Sequence, residues 1–276
     1  MQYRNIRIDT RDGIKFVVFN RPEKKNSLSP ETHEEMHDAL TNLADDDEFR
    51  VLVLTGEGDS FCAGQDLERF FKANYDNPKQ FERLRKVNFE WGEMLRLFPK
   101  PTIAMVNGWC IGAGFRVMGL CDLAVASDRA KFCLSEVNFA RFPAGGATKV
   151  PADLLAPRDA LYLILTGETI DAKKAEDMRL VNETVPHEKL LEATMALAGK
   201  LKEKDPATMM MAKHVFKRDL YMDYASAVEY ENHASYLHSY LQKDVWVKEA
   251  IPSFLKGKYR PGVSTYKKSD SDESPT

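Results

Sequence analysis

Residues 100–128, KPTIAMVNGWCIGAGFRVMGLCDLAVASD, constrain the fold more than any other stretch. Thr102 to Val106 is a short apolar run between Pro101 and Asn107-Gly108, the pattern of a buried strand. Gly112-Ala113-Gly114 then opens a helix that runs from Phe115 to Leu120, and Leu123 to Ala126 is a second apolar run. Small residues at a strand-to-helix junction leave backbone N–H groups unobstructed. Backed by the positive end of a helix, such donors suit an oxygen that gains negative charge. Taken alone, a Gly-Ala-Gly turn is equally a structural helix start.

The pattern recurs upstream. Val51 to Thr55 is an apolar run, and GEGDSFCAGQDL after it places the small-residue turn Ala63-Gly64-Gln65 before a helix beginning near Leu67. Downstream, FCLSE puts one acid, Glu136, at the start of a helix-like piece. Two donor turns and one carboxylate make an oxyanion hole with an acid/base group. These stretches, with NRPEKKNSLS, CDLAVAS and LTGETIDAKKAEDMRLVNETVP, resemble the crotonase (enoyl-CoA hydratase/isomerase) superfamily from about Ile6 to Arg260. The resemblance implies an α/β fold: a repeated ββα spiral core over 1–195 and a helical trimerisation region over 196–262. Residues 263–276, almost free of apolar side chains, are expected to be a disordered tail.

In chain order, Arg11-Asp12-Gly13 turns an opening hairpin, and a helix starts at Ser29 or Pro30 and reaches Leu43. Residues 68–98 read as charged helix broken at Asn74–Pro78, with Phe70, Phe71, Phe81, Phe89 and Trp91 along it. A last strand is expected near Val181–Val185, and then helices at about 187–203, 206–219, 223–241 and 244–256.

The net charge is −3 with both signs interspersed, which speaks against a nucleic-acid or anionic-membrane surface. No run has signal-peptide order or membrane-spanning length. Cys62, Cys110, Cys121 and Cys133 lack CxxC spacing and sit in or beside apolar runs, so buried free thiols and a cytoplasmic location are expected. His33 and His37 have a metal-like i, i+4 spacing but no evident third ligand, and an exposed helix face is the expectation for them.

Carried onto this chain, the resemblance makes the backbone N–H groups of Gln65 and Ala113 the oxyanion donors, provided that Ala113 has negative φ. Glu136 takes the place of one of two catalytic glutamates. Arg116 stands where hydratases have the other. There it would hold Glu136 ionised and lower its pKa, bind a carboxylate or polar group of the substrate, or turn outward to an acid such as Asp122. Lys24 would meet coenzyme A, and Ala63, Leu67 and Ser135 would be further coenzyme A- or substrate-binding positions.

Single-glutamate members include the hydroxycinnamoyl-CoA (feruloyl-CoA) hydratase-lyases, whose wording KPTIAMVNGWC, LSE-VNF and FKR at 216–218 resembles. Phe139 would flank a substrate ring. Phe70 and Asn232, with Tyr230 nearby, occupy the positions of tyrosines that anchor a 4-hydroxyl there, and Phe70 has no hydrogen-bonding atom.

The implied activity is a lyase hydrating an α,β-unsaturated aromatic or cyclic acyl-CoA, with retro-aldol cleavage to an aldehyde and acetyl-CoA as a further step. The alternatives are a C–C or thioester hydrolase, or a non-catalytic acyl-CoA-binding or assembly subunit. No metal or redox cofactor is implied, since coenzyme A arrives with the substrate. The expected self-association is a homotrimer or a dimer of trimers, with no nucleic-acid or membrane partner.

Overall fold

The computed structural model describes residues 3–267. The chain divides into two compact units between residues 198 and 199, with residues 99–101 belonging to the second.

Among the described residues, the first unit carries all the strands. β1 (Ile6–Arg11) and β2 (Ile14–Phe19) pair as an antiparallel hairpin, turned by Asp12 and Gly13 at positive φ. β3 (Val51–Gly56), β4 (Ser60–Cys62), β5 (Thr102–Val106), β6 (Trp109–Ile111), β7 (Leu123–Ser127) and β8 (Lys131–Cys133) follow. Each consecutive pair sends one strand to each of two sheets. β3, β5 and β7 join a six-stranded sheet in the order β1-β2-β3-β5-β7-β10, with β10 at Glu183–Val185. β4, β6 and β8 form a second sheet in the order β4-β6-β8-β9, with β9 at Ile170–Asp171. Pairing among β3, β5 and β7, and among β4, β6 and β8, is parallel. β3 and β5 are buried along nearly their whole length, as a parallel sheet covered on both faces requires.

The tight step between sheets explains Asn107-Gly108. Any Cβ on Gly108 would lie 1.8 Å from the Asp59 carbonyl oxygen, while Asn107 Nδ2 donates to the carbonyls of Gly56 and Gly58 at 2.9 and 2.8 Å.

Helix α1 (Pro30–Ala44) starts where a Ser29–Thr32 capping box satisfies its first donors. A π-helical turn at Leu67–Phe71 precedes α2 (Pro78–Arg96), which is capped by Asn77. α1 and α2 bury Met36, Leu40, Trp91 and Leu95 completely, and each such burial is worth about 1.5–3 kcal/mol. α3 (Ala113–Leu120) is the central helix, followed by α4 (Lys149–Leu154), α5 (Pro157–Thr166), α6 (Ala172–Asp177) and α7 (Leu190–Lys202). All four cysteines are buried thiols outside any disulfide.

In the second unit, α8 (Pro206–Asp219) packs on α9 (Tyr224–Leu241), and Thr208 Oγ1 meets His238 Nε2 at 2.8 Å. A π-helical turn at Trp246–Ala250 leads into α10 (Ile251–Leu255). Of the expected tail, residues 263–267 are placed: the Tyr266 hydroxyl donates to Glu249 at 2.6 Å and Lys267 pairs with Glu203. Residues 268–276 lie outside the described residues. No helix among the described residues is long and apolar enough to cross a membrane.

Candidate active site

The loop over residues 20–29 is a structural clamp. Asn26, at φ 58°, donates through Nδ2 to the carbonyls of Glu57 and Ser60 and accepts from the Arg21 N–H. Arg21 makes a buried ion pair with Asp66 at 3.0 Å. The clamp docks the first small-residue turn through Leu28 N–H to Gly64 O (2.8 Å) and Asp66 N–H to Leu28 O (3.0 Å). Alternation along an extended backbone then turns the Gln65 N–H to the opposite side. That N–H makes no hydrogen bond among the described residues.

The second turn closes on the first. A Cβ on Gly64, at φ 92°, would lie 3.4 Å from the Ala113 nitrogen. Ala113 is the first residue of α3 and keeps negative φ, because Gly112 before it takes the positive value of 53°. The Ala113 N–H is likewise unengaged among the described residues. Parallel pairing of Ile111 with Cys133, and the bond from Gly112 N–H to Cys133 O, set the end of β6 beside the 3₁₀ turn Ser135–Phe139. Glu136 therefore lies against Gly112: a Cβ there would be 3.0 Å from Oε1.

Burial raises the Glu136 pKa above the ordinary carboxylate value, opposed by its own backbone N–H and by Arg141. Its buried Oε2 has no hydrogen-bond partner among the described residues. The expectation that Arg116 holds this carboxyl low is corrected here, because the cation acting on Glu136 is Arg141. Arg116 turns instead toward α2 and donates to Asn88 Oδ1 at 2.9 Å. Nor does it reach Asp122, which accepts from the Thr102 N–H and hydroxyl.

The exposed-face expectation for His33 is also overturned, for its side chain is fully buried. Trp91 Nε1–H donates to His33 Nδ1 at 2.9 Å, and His33 Nε2 meets Gln65 Oε1 at 2.8 Å. An indole can only donate, so Nδ1 is the acceptor and Nε2 carries the proton. Burial lowers the His33 pKa to about 4, which keeps the ring neutral. His37 is half-buried on the same helix, and no metal-binding cluster occurs among the described residues.

The two donor turns, Arg116 and Glu136 line one cavity of about 1190 Å³. Ala63, Gln65, Leu67, Phe70, Ala113 and Arg116 contribute to its lining, as do Ser135, Glu136 and the exposed Phe139. Phe70 is buried in an aromatic cluster with Phe71, Phe81 and the His33 ring. Lys24 lies outside the lining, exposed in the clamp loop. Tyr230 and Asn232 lie on α9 of the second unit, where Tyr230 stacks near His214. Sequence reasoning missed His33, Asn88 and Arg141. One signal for the α2 packing was available: Gly92 sits mid-helix in EWGEM, where glycine costs about 1 kcal/mol unless something approaches closely.

The model of the enoyl-CoA hydratase/isomerase family matches residues 9–259. A hydroxycinnamoyl-CoA hydratase-lyase from Pseudomonas fluorescens is 39% identical over 276 residues, covering 97% of this chain and 98% of that protein. The crystal structure of an enoyl-CoA hydratase from Mycobacterium smegmatis matches with a TM-score of 0.86 at 28% identity, covering 94% of this chain and 98% of that one. One from Bacillus anthracis gives 0.84 at 29% identity, covering 92% and 97%.

Proposed function

The chain belongs to the enoyl-CoA hydratase/isomerase family, and from that premise we propose that it hydrates an α,β-unsaturated acyl-CoA bearing an aromatic or cyclic group. Retro-aldol cleavage of the product then follows. The observation that carries this reading is that Glu136, set against Gly112, shares one cavity with two unengaged backbone donors.

A thioester carbonyl polarised by the Gln65 and Ala113 N–H groups accepts electron density when water adds at the β carbon, and the enolate forms. Each such donor is worth about 3–4 kcal/mol of barrier in measured precedents. Glu136 as carboxylate takes a proton from the attacking water and, once protonated, returns one to the α carbon. In the cleavage step the same carboxylate removes the β-hydroxyl proton. The Cα–Cβ bond breaks, the aldehyde leaves, and the acetyl-CoA enolate held at the two donors is protonated. A raised pKa suits a group that must both take and give this proton near neutrality. The hydratase-lyase relative supports the cleavage step, and the phenylalanine cluster at Phe70 supports a ring-bearing acyl group.

The test is a mass-spectrometric product screen over feruloyl-, cinnamoyl-, cyclohexenyl- and crotonyl-CoA thioesters. Gain of one water supports hydration, and aldehyde with acetyl-CoA supports cleavage. Free coenzyme A with the intact acid would replace the proposal by a thioester hydrolase.

A further inference from the structure

Arg116 is a buried cation with no carboxylate in contact: the acid that acts on it, Glu93, does so from beyond ion-pair distance and is itself paired with Arg96. Arg116 is 5% exposed, its hydrogen bonds go to Asn88 alone, and no carboxylate among the described residues lies within ion-pair distance. Burying a guanidinium beside one neutral partner is unfavourable, and the distant Glu93 offsets that desolvation only in part.

The fold nevertheless makes room for it. A Cβ on Gly92 would lie 2.0 Å from one terminal nitrogen of Arg116, and a Cβ on Gly146 would lie 3.1 Å from Nε. Gly92 sits inside α2 and so weakens the helix that makes the cradle. Arg116 also follows Ala113 by one helical turn on α3 and lines the same cavity.

The surrounding charge points the same way. The lining holds six cations, Lys79, Arg83, Arg85, Lys86, Arg116 and Arg141, against two carboxylates, Glu82 and Glu136. Three of the six have surface acid partners: Arg83 with Glu34, Arg85 with Glu82, and Lys86 with Glu90. Lys79, Arg116 and Arg141 make no ion pair at contact distance among the described residues, although Glu93 acts on Arg116 and Arg141 on Glu136 from farther away. Of these, Arg116 is the buried one.

We propose that Arg116 receives a carboxylate carried by the acyl group of the thioester substrate. A guanidinium offers five N–H donors in a planar fork that matches a carboxylate in two bonds, and Asn88 uses only one edge of it. The assignment rests on the acyl-CoA reading of the cavity and narrows its substrate class.

The experiment compares 4-carboxycinnamoyl-CoA with 4-methylcinnamoyl-CoA, which are close in size and differ in charge, and adds glutaconyl-CoA against crotonyl-CoA for a short acyl chain. The wild-type protein should favour the carboxylated member of at least one pair by about 100-fold in kcat/KM. In Arg116→Met that ratio should fall at least tenfold. Arg116→Lys keeps the charge and loses the fork, and should fall between the two; it carries the test if the methionine variant does not fold. Equal hydration of both members of each pair by the wild type overturns the proposal and leaves the hydratase reading standing. A ratio unchanged in both variants overturns it as well, because another cation would then bind the acid. If no probe gains water, the hydratase reading fails separately. Calorimetric binding of 3-(4-carboxyphenyl)propionyl-CoA and glutaryl-CoA against 3-(4-methylphenyl)propionyl-CoA and butyryl-CoA then decides the role of Arg116, and absence of any preference overturns it.

Discussion

His33 donates through Nε2 to the side-chain oxygen of Gln65 across 2.8 Å, and its other ring nitrogen is fixed by Trp91. A buried chain from α2 through α1 thus ends on the residue whose backbone N–H faces the cavity. His33 does not line the cavity, and it is expected to act as a positioning residue by holding the first donor turn.

Replacing it should separate catalysis from binding. His33→Phe keeps the ring volume but removes both hydrogen bonds, so kcat should fall about 10–100-fold while KM changes less than about threefold. His33→Gln, which can still donate and accept, should recover part of the loss. Steady-state hydration kinetics on the three proteins check this. A purely packing role would lower melting temperature and leave kcat alone.

The same residue sets a pH dependence of stability. Its pKa is about 4 in the fold against 6.5 for the ordinary imidazole. The unfolded chain therefore binds more protons between those values, and stability falls as pH drops from 6.5 toward 4. Thermal melts from pH 7 to pH 5 should show a steeper loss for the wild type than for His33→Gln.

Glu136 has the opposite sign. Its folded pKa is raised by burial, so its contribution is complete below the unfolded value and is lost as pH rises through the folded one. Glu136→Gln should consequently melt roughly 1–3 °C above the wild type at pH 7. The difference should vanish below pH 4. Calorimetric scans at the two pH values measure it, and an unchanged melting temperature at pH 7 would mean that the carboxylate is well solvated.

Two glycines should fail differently. Gly112→Ala puts a Cβ at φ 53° and 3.0 Å from Glu136 Oε1. It strains the turn and displaces the carboxylate, so kcat should drop by about 10–100-fold with modest destabilisation. Gly114→Ala drives a Cβ to 2.1 Å from the Cys62 carbonyl oxygen, which is backbone and cannot give way. Its main effect should be on folding, read as soluble yield and melting temperature.

Most of the fold and the two donor turns were legible because they depend on local chemistry. Gly112-Ala113-Gly114 and Ala63-Gly64-Gln65 announce turns, and the apolar runs of β3, β5 and β7 announce buried strands. The two-residue β9 escaped, since Ile170–Asp171 is too short to show a period. His33 was misread because its chain neighbours Glu34 and Glu35 mark an exposed face. Only the packing of α1 on α2 shows that its ring points at Trp91. The effect of Arg116 on Glu136 was likewise out of reach. It depends on a side-chain direction set by Gly92, Gly146 and Asn88, all distant in sequence from Arg116.

The central claim is that Glu136, in one cavity with the Gln65 and Ala113 donors, performs the chemistry on an acyl-CoA thioester. The most direct measurement is water addition by the wild type and by Glu136→Gln on the best thioester of the screen, with its affinity determined for both by calorimetry. The account predicts hydration by the wild type, a loss of at least about 1000-fold in the variant, and dissociation constants within a few fold of each other. Turnover by Glu136→Gln at the wild-type rate would contradict it.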